Sequence, residues 1–169
     1  IHKSNIESPE SVADHSYSTC MISMVLAEIM NLDSGHIMEM ANIHDLAESL
    51  IGDHMPDKIS CEEKQLLEDK AMKEIVSNLP TCLREKYLDI WNEYNDNHTI
   101  SSKFVHNMDK LEMALQAKEY EYQGYSKASL EIFLKSANDY ISSDGFDLVY
   151  EILQTICNDS DRTSVSVKP

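Results

Sequence analysis

The stretch Met40–Asp53, "MANIHDLAESLIGD", decides the fold. Ile37, Met40, Ala41 and Ile43 recur at three- and four-residue intervals, as one buried face of an α-helix requires. Upstream, Asp33-Ser34-Gly35 marks a helix start, and Gly52 can take the left-handed conformation that closes a helix. The spacing therefore predicts one helix from about Gly35 to Gly52. Polar groups interrupt its apolar pattern, because His44 and Glu48 stand four residues apart and Asp45 and Glu48 three apart, on neighbouring lines of one face. A His-Asp pair often lies on a solvated face. Here Ile43, Leu46 and Ala47 flank it, and Asp53 follows just past the helix end. Carboxylates gathered on a half-buried face repel one another and resist desolvation unless a cation or proton holds them.

The same helical period extends in both directions. Before this stretch, Ser8-Pro9-Glu10 reads as a helix start with Ser8 as N-cap and Pro9 in the first turn, where its missing N–H costs nothing. That helix is expected to run to about Asn31 and to bury Ala13, Tyr17, Cys20, Met21, Met24 and Val25. Beyond the polar loop "GDHMPDKIS", Ser60 and Glu63 form a capping box that opens a third helix ending near Asn78. After Pro80 a fourth keeps Leu83, Tyr87, Ile90, Trp91 and Tyr94 in register, and a fifth, from Ser101 or Ser102 to Tyr122, buries Phe104, Val105, Met108, Leu111 and Leu115. Two shorter helical stretches, "KASLEIFLKSANDYI" and "FDLVYEILQTIC", follow Gly124. No segment alternates with period two. The fold class is all-α, a compact bundle of about six to seven helices.

The 169 residues suit one domain, residues 1–157, with a polar tail over 158–169 expected to be disordered. Only four glycines and four prolines punctuate the chain, which agrees with long helices. Acidic residues outnumber basic ones 30 to 14 for a formal charge of −16, and this excludes a DNA or RNA polymer as the expected partner. A small anionic substrate requires a local positive charge, which a bound cation supplies. Cys20, Cys61, Cys82 and Cys157 are far apart and form no C-x-x-C pair, so they read as reduced thiols of a cytoplasmic protein. No apolar run approaches the ~20 residues of a membrane span. Residue 1 is Ile and not Met, so further residues are expected upstream.

Two more residues fit the pattern set by His44-Asp45. His15 sits in "VADHSYS" near the start of the first helix, and Asp109 lies beside Met108 and Lys110 within a turn of the fifth helix's apolar face. A core histidine and an Asp109–Lys110 pair are the structural alternatives. Taken together, His15, His44, Asp45 and Asp109 make two imidazoles and two carboxylates, a set suited to one Mn, Fe, Co, Zn or Mg ion with positions left for water and substrate. Asp14, next to His15, reads as solvated or as a group that orients an imidazole.

In this order, His15, His44-Asp45 and Asp109 resemble the H…HD…D signature of the HD-domain metal-dependent phosphohydrolases. The segments "PESVADHSY", "HDLAESLIGD" and "FVHNMDKLEMALQAKEYE" are similar to the 5′-deoxynucleotidase branch of that family, over roughly residues 8 to 155. The resemblance implies an HD-type helical bundle in which His15, His44, Asp45 and Asp109 hold a divalent metal. It also implies that Glu48 and Asp53 are catalytic, that the substrate is a (deoxy)nucleoside 5′-monophosphate, and that the protein is a homodimer. Related deoxynucleotidases carry an Arg and a Trp before the first helix that grip phosphate and crowd a ribose 2′-hydroxyl; neither occurs in Ile1–Glu7. Lys58 and Lys3 are candidate phosphate contacts. The alternatives are an HD phosphohydrolase acting on a cyclic or pyrophosphorylated nucleotide, and an idle metal-binding helical module. No H-E-x-x-H, glycine-rich phosphate loop or G-x-S-x-G is present to support a protease, kinase or serine hydrolase.

Overall fold

The structure is a computed structural model that describes residues 6–52, 60–142 and 145–159. These are all-α, with no strand among the described residues. The helices are α1 (Val12–Ile29), α2 (Ser34–Ile43), the single turn α3 (Glu48–Ile51), α4 (Cys61–Val76), α5 (Thr81–Asp96), α6 (Ile100–Tyr122), α7 (Lys127–Ile141) and α8 (Asp147–Asn158). They fall into two compact units, Glu10–Val105 and the combination of Ile1–Pro9 with His106–Pro169. No helix among the described residues is long and apolar enough to cross a membrane.

Within Glu10–Val105, α1 packs on α2, α2 on α5, α5 on α4 and α4 on α3. Ile37, Met40, Ala41 and Ile43 are buried as their spacing requires, with Met72, Val76, Ile90 and Trp91. Polar ties cross the helices as well: His36 Nε2 lies 2.7 Å from Glu93 Oε2 and Lys86 pairs with Glu39, both joining α2 to α5. The Trp91 indole donates to Asp69 Oδ1 at 2.8 Å, joining α5 to α4. Ser60 and Glu63 form the expected capping box at the head of α4.

Three expectations need correction. The first is the start of α1. Its N-cap is Ser11 and not Ser8, because Asp14 closes a capping box there, accepting from the Ser11 amide at 3.1 Å and the Ser11 hydroxyl at 2.7 Å. With the Asp14 amide donating back to Ser11 Oγ at 3.2 Å, three hydrogen bonds fix that start. The same bonds occupy Asp14, hold its carboxyl below the usual range, and make it a helix cap.

The second concerns the face of α1. The buried line is His15, Thr19 and Ser23, followed by Leu26 and Ala27, whereas Tyr17, Met21, Val25 and Ile29 are exposed. α1 meets α2 through Cys20, whose Sγ accepts from Asn42 Nδ2 at 3.1 Å, and the apolar line at four-residue spacing is turned outward. Periodicity identified the helix but not which of its stripes faces inward.

The third is the end of α2. The helix stops at Ile43 and the chain tightens: Leu46 N–H donates to Ile43 O (3.1 Å), Glu48 to Asp45 O (3.0 Å), Ser49 to Leu46 O (3.1 Å) and Leu50 to Ala47 O (3.1 Å). These are three-residue steps of 3₁₀ type, common where a helix ends or changes course. Gly52 then ends α3 with φ +77° and donates to Glu48 O at 2.7 Å.

In the other unit, α7 packs on α8. Ala117, Tyr120 and Leu130 form a buried cluster against Ile6, Tyr125, Phe133 and Leu134. The Glu7 amide donates to the Tyr125 hydroxyl at 3.3 Å, and Gln154 donates to Asn138 at 2.8 Å. Lys118, nearly buried, pairs with Glu121 at 2.9 Å, and that ion pair holds the Glu121 carboxyl below its ordinary value.

Candidate metal centre

Three donor atoms converge within Glu10–Val105. His15 projects from the first turn of α1, while His44 and Asp45 occupy the tight segment that follows α2. His15 Nε2 and His44 Nε2 are 3.4 Å apart, and Asp45 Oδ2 lies 3.6 Å from the first and 3.4 Å from the second. The His44 side chain is fully buried, that of His15 is 11% exposed and that of Asp45 28% exposed. One edge of the group is thus open to water.

The hydrogen bonding of His44 sets the chemistry. Its Nδ1 lies 2.7 Å from Ala41 O, and a carbonyl oxygen only accepts, so Nδ1 carries the proton. In the neutral ring the Nε2 lone pair then faces His15 Nε2 and the Asp45 carboxylate. Acceptors this close repel unless a proton or cation lies between them. A divalent ion fits the space: the point equidistant from the three atoms is about 2.0 Å from each, and zinc–nitrogen and zinc–oxygen bonds run from about 2.0 to 2.2 Å. The backbone bond to Nδ1 is the kind of outer contact that orients a ligating imidazole. Tyr94 adds a second support, since its ring meets that of His44 edge-on with centroids 5.7 Å apart.

Glu48, at the head of α3, is 8% exposed and ion-paired, with Lys64 Nζ 3.0 Å from its Oε1. Burial pushes the Lys64 ammonium down, but the hydrogen bonds and charges of Glu48 and Glu68 outweigh that and leave it above the ordinary lysine range. Asp109 is on α6, half-buried, with Lys110 Nζ 2.9 Å from its Oδ2. Asp53, Lys58 and Lys3 lie outside the described residues. Sequence reasoning missed Lys64 and Tyr94. Lys64 looked like one more charge on a solvated helix, and Tyr94 like one more core residue at helical spacing.

The model of the HD domain family matches residues 1–148. The chain belongs to the HD domain family. As an HD domain it is 38% identical to the 5′-deoxynucleotidase HDDC2 of Homo sapiens over 133 residues, covering 78% of this chain and 65% of that protein. It is 42% identical over 142 residues to the HDDC2 of Dictyostelium discoideum, covering 78% and 75%, and 32% identical over 139 residues to the 5′-deoxynucleotidase YGK1 of Saccharomyces cerevisiae, covering 79% and 64%. The chain thus spans less than two thirds of the human and yeast relatives. Among solved structures, a conserved hypothetical protein from Pyrococcus furiosus superposes with TM-score 0.68 at 30% identity, covering 89% of this chain and 87% of that one. A predicted metal-dependent phosphohydrolase from Magnetospirillum magnetotacticum, 22% identical with TM-score 0.66 and coverage of 89% and 78%, shares the HD-domain fold.

Proposed function

We propose that this HD domain is a metal-dependent phosphomonoesterase that hydrolyses (deoxy)nucleoside 5′-monophosphates to nucleoside and phosphate. The observation that carries the reading is the convergence of His15, His44 and Asp45 on a space of cation size, in a chain related to named 5′-deoxynucleotidases. His15, His44, Asp45 and Asp109 are the residues that would hold the metal, one ion of Mn, Co, Mg, Fe or Zn. When bound, such an ion lowers the pKa of water toward neutrality and draws charge from a phosphate oxygen.

The chain's own groups do the rest. Glu48, a carboxylate beside the ligand segment, orients the attacking water and takes its proton. Asp53 assists proton transfer to the leaving 5′ oxygen, and Lys58 contacts the phosphate. In a chain of charge −16, a cation at this centre gives an anionic substrate its local attraction. The exposed apolar line Tyr17, Met21, Val25 and Ile29 on α1 supports a homodimer, and the free thiols of Cys20, Cys61, Cys82 and Cys157 agree with a reducing, cytoplasmic setting.

Phosphate release from a panel of deoxy- and ribonucleoside 5′-monophosphates, with added Mn²⁺, Co²⁺ or Mg²⁺, tests the reading. Turnover that is metal-dependent and lost in Asp45→Ala is the expected result. Equal turnover in Asp45→Ala, or hydrolysis confined to cyclic or pyrophosphorylated nucleotides, would overturn it.

A further inference from the structure

The ion pair that reaches Glu48 from a different helix has a role of its own. α3 is a single turn whose N-cap position, Ala47, makes no side-chain capping bond, and one turn of helix has little stability by itself. Whatever fixes the Glu48 side chain has to come from outside α3. α4 supplies it, a 16-residue helix begun by the Ser60–Glu63 capping box. From its first turn Lys64 extends to Glu48 Oε1 at 3.0 Å, and the same ammonium lies 3.0 Å from Oε1 of Glu68, one turn further along α4. Glu68 thus pins the lysine to its own helix while the lysine holds the carboxylate of the neighbouring one. An ammonium engaged by two carboxylates is a poor site for substrate phosphate.

We propose that Lys64 is a positioning residue that fixes the rotation of the Glu48 carboxylate toward the water it orients. The proposal rests on the reading of Glu48 given above. A misplacement of about 1 Å in a catalytic group costs on the order of 100-fold in rate. Lys64→Met is therefore expected to lower kcat at least tenfold with KM changed less than twofold, measured as phosphate release from dAMP with Co²⁺. Lys64→Arg, which can still bridge both carboxylates, is expected to restore most of kcat, and Lys70→Met, at an exposed site on the same helix, to leave it unchanged.

In the Glu48→Gln background, Lys64→Met is expected to cause no further loss. Without metal or substrate, the urea midpoints of the two single variants and the double variant are expected to be non-additive, as for groups in direct contact. An unchanged kcat in Lys64→Met, a raised KM at constant kcat, or additive losses with Glu48→Gln would overturn the proposal while leaving the Glu48 reading intact. Full turnover in Glu48→Gln would instead remove the role of Glu48, and the proposal with it. Should Lys64→Met fail to fold, Lys64→Gln keeps the polar tip, and an unchanged kcat in that variant overturns the proposal equally.

Discussion

Replacing Asp45 with asparagine keeps the size of the side chain and removes its charge, so its effect on cation binding can be worked out from the site. Asp45 Oδ2 is the one anionic corner of a triangle with two imidazole nitrogens, 3.6 and 3.4 Å away. With metal at one hundred times its Kd, binding stabilises the native state by about 2.7 kcal/mol. In a protein of this size each kcal/mol moves Tm by about 2–4 °C, so metal should raise Tm by about 5–11 °C over the EDTA-treated protein. Loss of an outer contact to a ligand costs about 10- to 100-fold in metal affinity, and losing the charged ligand itself should cost at least the upper figure. At the same metal concentration Asp45→Asn then sits near its own Kd, where the stabilisation is about 0.4 kcal/mol and the shift about 1–2 °C. Differential scanning fluorimetry with Mn²⁺, Co²⁺ and EDTA reads both numbers. An Asp45→Asn protein that keeps the whole shift would refute the assignment of Asp45 as a ligand.

Further outcomes are expected in urea melts. Trp91→Phe loses the indole bond to Asp69 Oδ1, which keeps the bond from Gln65 Nε2 at 3.0 Å, so the cost is that of one hydrogen bond to a charged group, about 1.5–2 kcal/mol; a loss below about 0.5 kcal/mol would show that the bond contributes little. Ser60→Ala removes the cap of α4 and should cost about 1 kcal/mol, and Ser60→Thr should recover most of it. Gly52→Ala meets no steric neighbour but forces an L-residue to φ +77° and ψ 160°, a region essentially reserved for glycine, so a loss of about 1–3 kcal/mol is expected from the backbone alone. Glu121 has a depressed carboxyl because of Lys118, so the stability it contributes is complete above the ordinary glutamate pKa and fades as pH falls through its lower folded value. The advantage of wild type over Glu121→Gln, followed by urea melts between pH 7 and pH 3, should therefore shrink on acidification; a constant difference would exclude the charge as its source.

Much of this molecule is legible in its sequence because helices announce themselves by period and cap. The Ser60–Glu63 box, the break at Pro80 and the buried set Ile37, Met40, Ala41 and Ile43 all follow from local chemistry. What stayed hidden is tertiary. Along α1 the polar line His15, Thr19 and Ser23 and the apolar line Tyr17, Met21, Val25 and Ile29 have the same period, and only tertiary packing decides which is buried. The turn after Ile43 was hidden for a related reason, since "HDLAES" carries no Gly or Pro to break a helix and the three-residue steps appear only in the backbone bonding. Lys64 belongs to the same class: it lies 16 residues from Glu48, and nothing local links them.

The tight segment from Ile43 to Glu48 also bears on which changes the gene can accept. Asp45 and Glu48 are joined directly by a backbone bond, and Leu46 and Ala47 between them form successive steps of the same turn. A substitution at the half-buried Leu46 alters a side chain but leaves that count of residues intact. A one-residue insertion or deletion rotates everything downstream by roughly 100–120° about the local axis, the angle per residue of α- and 3₁₀-helices. Glu48 would then lose its angular relation to His44 and Asp45 even with every side chain of the centre still encoded. Across related genes, length in this interval is expected to be held more strictly than composition.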